Sequence, residues 1–322
     1  MKPRWMAAAV MIAAMELVLV LVLSGCGGAG SGKDAASAFA TCPLDKGVGA
    51  AAAKPIGKNH VYIGAFAAWD ESVASAYLMK NILENNGYDA EVKTLDIDAA
   101  FSATAYGQLD VLTDVWLPST HRTYIDEYRS QLDPLGCWYD GAKVTITVNN
   151  SSPAQSIGNL RTMGDAYQNT LVGVEPGAGE TALVNNRVIP EYGLHNLTFR
   201  SVSTGDMLAS LQQAQTSHTN VAVTLWRPHW AYSEFALRDL QDPKKAMGGT
   251  NGIWTFANKG FASRSPKAAQ MFTNLVLTDP QLSQLEDLMT KKYHGDDPDD
   301  AVIDWLNAHP DFAGRLASGS LR

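Results

Sequence analysis

The residues that stand out chemically are tryptophans and a histidine placed at the ends of apolar runs. Asp114-Val115-Trp116-Leu117-Pro118-Ser119-Thr120-His121 puts an indole and an imidazole on one loop. An indole face suits a diffuse positive charge or stacks on a sugar ring, and an imidazole can donate a hydrogen bond to an anion. The plainer alternative makes Trp116 a core residue and His121 a solvated loop histidine. Two further tryptophans weigh against it. Trp69 follows a strand-like run in Ala68-Trp69-Asp70-Glu71-Ser72, and Trp226 follows another in Trp226-Arg227-Pro228-His229-Trp230. Trp116-Leu117-Pro118 and Trp226-Arg227-Pro228 repeat one arrangement, as a cleft with an aromatic group on either wall requires.

The elements around these residues must bring them to one edge. Leu109 to Val115 reads as a buried strand, and Pro118 cannot continue its ladder, so Trp116 sits where strand becomes loop. His60 to Phe66 is a strand, and an amphipathic helix follows Trp69 to about Asn86, with Gly87 as its C-terminal cap. A strand at Ala90 to Leu95 and a helix from about Ala99 to Tyr106 complete a β-α-β-α-β order. That order implies a parallel sheet with its site beyond the strand C-termini. A helix from about Thr123 to Gln131 leads to Trp138, read as packing, and then to a strand at Lys143 to Val148. The cluster Asn149-Asn150-Ser151-Ser152-Pro153 is a crossing between lobes.

The second lobe repeats the pattern. A strand at Thr170 to Val174 runs into Glu175-Pro176-Gly177-Ala178-Gly179-Glu180-Thr181, which opens a helix to about Arg187. Backbone N–H groups there can meet an anion, although the spacing is neither a P-loop nor a dinucleotide fingerprint and a plain strand-to-helix turn fits equally. A helix at Asp206 to Ala214 precedes an apolar strand, Asn220 to Leu225, that delivers Trp226. About Thr250 to Ala257 is the return crossing, and the helical last sixty or so residues pack on the first lobe. Trp254 and Trp305 are packing residues in this reading.

The chain has 322 residues, 46% hydrophobic and 18% charged, enough for a large core and two domains. Its net charge of -8, with no Lys/Arg cluster, argues against a nucleic-acid surface. Residues 1–26 stand apart: Lys2 and Arg4 precede an apolar run from Ala7 to Leu23 that ends in Leu23-Ser24-Gly25-Cys26. This resembles a bacterial lipoprotein signal and implies lipid attachment at Cys26. A single-pass anchor is the alternative, and Glu16 inside the run departs from both. Residues 27–57 read as a flexible tether, Gly- and Ala/Ser-rich at its start. Cys42 and Cys137 remain, an even number for an oxidising compartment; a disulfide is expected, with two separate buried thiols as the alternative.

Over about residues 58 to 318 the chain resembles the substrate-binding lipoproteins of glycine betaine ABC transporters. The resemblance rests on Ala68-Trp69-Asp70-Glu71, Trp116 to His121, Glu175-Pro176-Gly177-Ala178-Gly179, Trp226 to Trp230 and Leu240-Gln241-Asp242-Pro243-Lys244. It implies a two-lobed α/β fold of the type II periplasmic-binding-protein kind, with a ligand cleft between lobes and two crossings. Lobe one would span 59–145 plus 252–322, and lobe two 146–251. It also implies a box for a quaternary ammonium made by Trp69, Trp116 and Trp226, with His121 and the amides of Gly179 and Glu180 on the ligand carboxylate. A trimethylammonium group has no N–H, so ring faces suit it better than hydrogen-bond acceptors do. The partners implied are a small quaternary ammonium ligand, an ABC permease with its ATPase, and a membrane reached through the lipid; the location is extracytoplasmic. No cofactor or metal is implied.

Two departures from the family pattern are visible. Thr147-Val148-Asn149-Asn150-Ser151 stands where the family has a strand ending in Val-Pro-x-Tyr. Glu180 stands where an apolar residue is common, and a carboxylate beside a ligand anion weakens binding unless it points away. Other readings are weaker. Asp70, Glu71, Asp114 and His121 lie near one edge as an acid and a base would, but no nucleophile motif accompanies them. His121, His229 and Asp114 lack metal-ligand spacing. A sugar-binding lipoprotein of the same architecture would need more Asp, Asn and Arg in the loops. Among quaternary ammonium compounds, the sequence does not choose between glycine betaine, other carboxylate-bearing ligands such as proline betaine or carnitine, and choline.

Overall fold

A computed structural model of the chain describes residues 39–44, 60–67 and 69–321. Cys26 and the rest of the apolar leader lie outside the described residues. Within them, no helix is long and apolar enough to cross a membrane.

Nine strands form one continuous sheet in the order β2-β1-β3-β9-β4-β7-β5-β6, with β8 on β4. β1 (His60–Phe66) lies parallel to β2 (Asp89–Leu95) and β3 (Val111–Leu117). β9 (Asn251–Asn258) runs antiparallel between β3 and β4 (Leu132–Asn149). In the second lobe β5 (Thr170–Gly173) is parallel to β6 (Thr198–Ser201) and β7 (Ala222–Arg227), and β7 is antiparallel to β4. β8 (Leu237–Asp239) closes the edge of β4.

β4 differs from the sequence expectation. It is a single strand of 18 residues that pairs with β9 from Leu132 to Ala142 and with β7 from Lys143 to Val148. The partner changes between Ala142 and Lys143, ahead of the Asn149–Pro153 cluster where the sequence places the crossing. The reason is local. Gly141 takes φ +86, a left-handed conformation open to glycine, so the chain bends without leaving the sheet. The alternation of Lys143 to Val148 belongs to the second lobe.

Helix α1 (Asp70–Glu84) buries Ala74, Leu78, Met79 and Ile82 against the first-lobe strands. α2 (Ile97–Ala105) and α3 (Arg122–Glu127) follow β2 and β3. α4 (Gly179–Leu183) continues through a π-helical segment, Val184–Val188, and another turn to Tyr192, well past the expected end near Arg187. α5 (Thr204–Ser217) starts at Ser203, whose hydroxyl oxygen accepts from the Asp206 N–H at 3.1 Å. The C-terminal helices α6 (Pro266–Asn274), α7 (Asp279–Asp287) and α8 (Pro298–Ala308) pack on β4 and α1, and Lys80 of α1 pairs with Asp299 at 2.8 Å. Trp138 and Trp305 are fully buried, and their indole N–H groups donate to backbone carbonyls, those of Thr113 and Gln281.

Residues 39–44 fall inside the span read as a tether, yet they lie on the sheet. Phe39 meets Trp254 edge-on at 5.1 Å and Phe256 at 5.7 Å. Cys42 and Cys137 are joined in a disulfide, with Cα atoms 5.5 Å apart. Gly252 makes the room: a Cβ there would stand 2.7 Å from the Cys137 sulfur and 2.9 Å from the Cys42 Cβ.

Candidate ligand-binding site

The first wall is built by the end of β3. Strand alternation puts residues 114 and 116 on one side, and the Trp116 indole N–H donates to Asp114 Oδ1 at 2.7 Å. The backbone of Trp116 is tied twice to His121: its N–H donates to His121 Nδ1 at 3.0 Å, and its carbonyl accepts from the His121 N–H at 2.9 Å. Nδ1 is therefore an acceptor, and the imidazole proton sits on Nε2. Burial pushes the His121 pKa down to about 3, so the ring is neutral at physiological pH. The loop between them is clamped by Asn251 Oδ1, which accepts from the N–H groups of Ser119 and Thr120. Trp69, at the mouth of α1, stacks on His121 at 5.7 Å and meets Phe66 edge-on at 5.3 Å.

The second wall comes from β7 and α4. Trp226 is buttressed by the edge of His229 at 4.7 Å, and His229 Nδ1 accepts from the Ala231 N–H at 3.0 Å. Burial pushes the His229 pKa to about 3 as well. Gly179 touches the first lobe so closely that a Cβ would fall 2.1 Å from the Thr120 carbonyl oxygen. Glu180 is buried. Its Oε1 accepts from the Thr224 hydroxyl at 3.1 Å, while Oε2 has no protein partner. Burial raises its pKa to about 8, with a further push from Glu175 and an opposing pull from Thr224.

Between the walls lies a small cavity. All six residues that the sequence singles out line it: Trp69, Trp116, His121, Gly179, Glu180 and Trp226. The Trp69 and Trp226 rings lie 6.3 Å apart, tilted by 59° to each other. Glu71, Thr120, Val144 and Ala178 also line it; the sequence puts Glu71 near this edge, but only as a possible acid or base, and gives the other three no role. Glu71 carries a signal in hindsight, an acid in the first helical turn beside Trp69; Thr120 and Val144 carry none. A cross-lobe bond was missed too: the Trp230 indole N–H donates to the Asp70 carboxylate. Behind the rings, burial raises several carboxyls. Asp70 reaches about 6 and Asp114 about 7, and Glu71 and Glu286 are pushed well above the usual range, each also feeling its acidic neighbours. Such a site can hold and orient a small cation between ring faces.

Residues 59–308 match the family described as the substrate binding domain of ABC-type glycine betaine transport systems. The chain belongs to this family. Among solved structures, a lactococcal family member in its closed-liganded conformation with glycine betaine is 28% identical. The match covers 81% of this chain and 100% of that one, with a TM-score of 0.75. A glycine betaine/L-proline-binding protein of Borrelia burgdorferi is 25% identical, covering 79% and 95% of the two chains, with a TM-score of 0.74. A glycine betaine/carnitine transport binding protein of Listeria monocytogenes is 31% identical over 159 residues, which are 49% of this chain and 52% of that protein. The match thus spans about half the length of that relative. The lactococcal and Borrelia structures share the two-lobed type II binding-protein fold seen here.

Proposed function

We propose that the protein captures a small quaternary ammonium compound, glycine betaine or a choline-type relative, and hands it to an ABC permease outside the cytoplasm. The observation that carries this reading is the meeting of Trp69, Trp116 and Trp226, from both lobes, around one cavity. Each desolvated ring contributes on the order of 1 to 2 kcal/mol to holding a cation. His121 and the amides of Gly179 and Glu180 offer donors to the other end of the ligand. Ligand seated between the lobes favours the closed arrangement. The role is binding, with no reaction catalysed, and Cys26 carries the lipid that holds the protein at the membrane.

Calorimetry with glycine betaine, choline and a neutral sugar tests the reading, with scattering to follow compaction. Saturable binding of at least one quaternary ammonium compound, no heat with sugar and a smaller radius when liganded are expected. Sugar binding alone would refute it. For the anchor, Cys26→Ala is expected to release the protein or leave it unprocessed, and a lipid label retained in that variant would refute attachment there.

A further inference from the structure

We infer that Glu180 sets the charge of the preferred ligand: its carboxyl favours a cationic quaternary ammonium compound ending in a hydroxyl over a zwitterion ending in a carboxylate. The inference rests on the quaternary ammonium reading above and narrows it.

Four observations carry it. Glu180 is 3% exposed and lines the cavity, with Oε1 fastened by Thr224 and Oε2 left without a protein partner. Thr224 and Trp226 lie two residues apart on β7, so the carboxyl is held beside the cage wall. No lysine or arginine is among the described residues lining the cavity, and His121 is neutral, with Nδ1 occupied by the Trp116 amide. Glu71 brings a second buried carboxyl to the same cavity, and its Oε2 also lacks a partner.

A carboxylate-bearing ligand would therefore enter a site that has no positive side chain and already holds two acids. Its anion would share the cavity with Glu180 and Glu71, and each acid that ionises opposes it. A hydroxyl-bearing cation meets the opposite situation: its charge favours the ionised carboxyl, and its O–H can donate to Oε2. The groups facing Glu180 are Glu175 from the preceding loop, Thr224 from β7, and Glu71 and His121 across the cavity. None supplies a positive charge. Since burial holds Glu180 protonated up to about pH 8 in the empty site, seating a cation should expel a proton.

The test measures choline and glycine betaine binding by calorimetry on the full chain and on Glu180→Gln and Glu180→Leu, in buffers of different ionisation enthalpy. Expected are tighter binding of choline by the unaltered protein, a tenfold or larger swing of the affinity ratio toward betaine in Glu180→Leu, and a smaller swing in Glu180→Gln. Fewer protons should be released per choline in Glu180→Gln. A ratio that stays within twofold in both variants, or tighter betaine binding by the unaltered protein, overturns the inference. If Glu180→Leu does not fold, the near-isosteric Glu180→Gln decides by its ratio and proton count. Binding of neither ligand by the unaltered protein sinks the quaternary ammonium reading as well. If both ligands bind and Trp226→Ala weakens both, an unchanged ratio sinks only the role of Glu180.

Discussion

The two Trp-x-Pro turns that face each other across the cavity look alike in sequence but are secured differently. Both contain a cis proline, at Pro118 and at Pro228. Trp116 is gripped by polar bonds, from its indole to Asp114 and from its backbone to His121. Trp226 is held by contact with the edge of His229, and the polar grip shifts to its neighbour Trp230, which reaches across to Asp70. One wall is fixed within its own lobe, and the other is steadied partly by the opposite lobe. If the lobes close on ligand as proposed, one wall is preset and the other gains its bond from Trp230 to Asp70 as they meet.

Several substitutions would test this contrast. Gly179→Val should have the largest effect, because the side chain would enter the Thr120 carbonyl and keep the walls apart; a loss of about 3 kcal/mol in ligand affinity is expected. Calorimetry showing affinity within threefold of the original would mean that the lobes need not approach so closely. His121→Ala comes next, at roughly 1.5 to 3 kcal/mol for glycine betaine and much less for choline. Equal losses for the two ligands would remove His121 from the carboxylate end. Trp116→Ala and Trp226→Ala should each weaken a quaternary ammonium ligand by about 1 to 2 kcal/mol, and phenylalanine at either position keeps part of that. Here the walls should separate. Trp116→Phe strips the buried Asp114 of its indole donor and should lower the unfolding temperature more than Trp226→Phe does. Similar melting curves for the two variants would show that the polar grip adds nothing.

The gentlest probe is pH. In the unfolded chain Asp70 and Asp114 ionise near 3.8 and Glu180 near 4.5, but the folded protein keeps their protons to about 6, 7 and 8. Between these limits the folded state binds more protons. This contribution to stability is thus full below about pH 4 and is lost as pH rises toward 8. The ligand-free protein should melt higher at pH 5 than at pH 8, and Glu180→Gln should shrink the difference. A melting temperature that rises over that interval would contradict the buried acids.

Much of the site was legible because its parts are local. Trp116, Trp69 and Trp226 each follow an apolar run, and a parallel sheet sends such ends to one edge. What escaped was non-local. Nothing in Lys143 to Val148 says which lobe will pair with it, since alternation fixes which face is buried and not which neighbour is chosen. β6 and β8, at four and three residues, are too short to show a period. The bond from Trp230 to Asp70 joins residues 160 positions apart, beyond the reach of any local pattern.

The bridge between Cys42 and Cys137 has a mechanical consequence. Cys137 lies where β4 still pairs with β9, on the first-lobe side of the switch between Ala142 and Lys143. Any pull on the chain ahead of Phe39 therefore ends at that strand pair, reinforced by the ring contacts to Trp254 and Phe256. β5, β6 and β7 lie beyond the switch and bear none of the load. With the lipid anchor proposed at Cys26, the first lobe would be the moored half. Reduction of the bridge would shift that load to the start of β1, at the side of the sheet farther from β4.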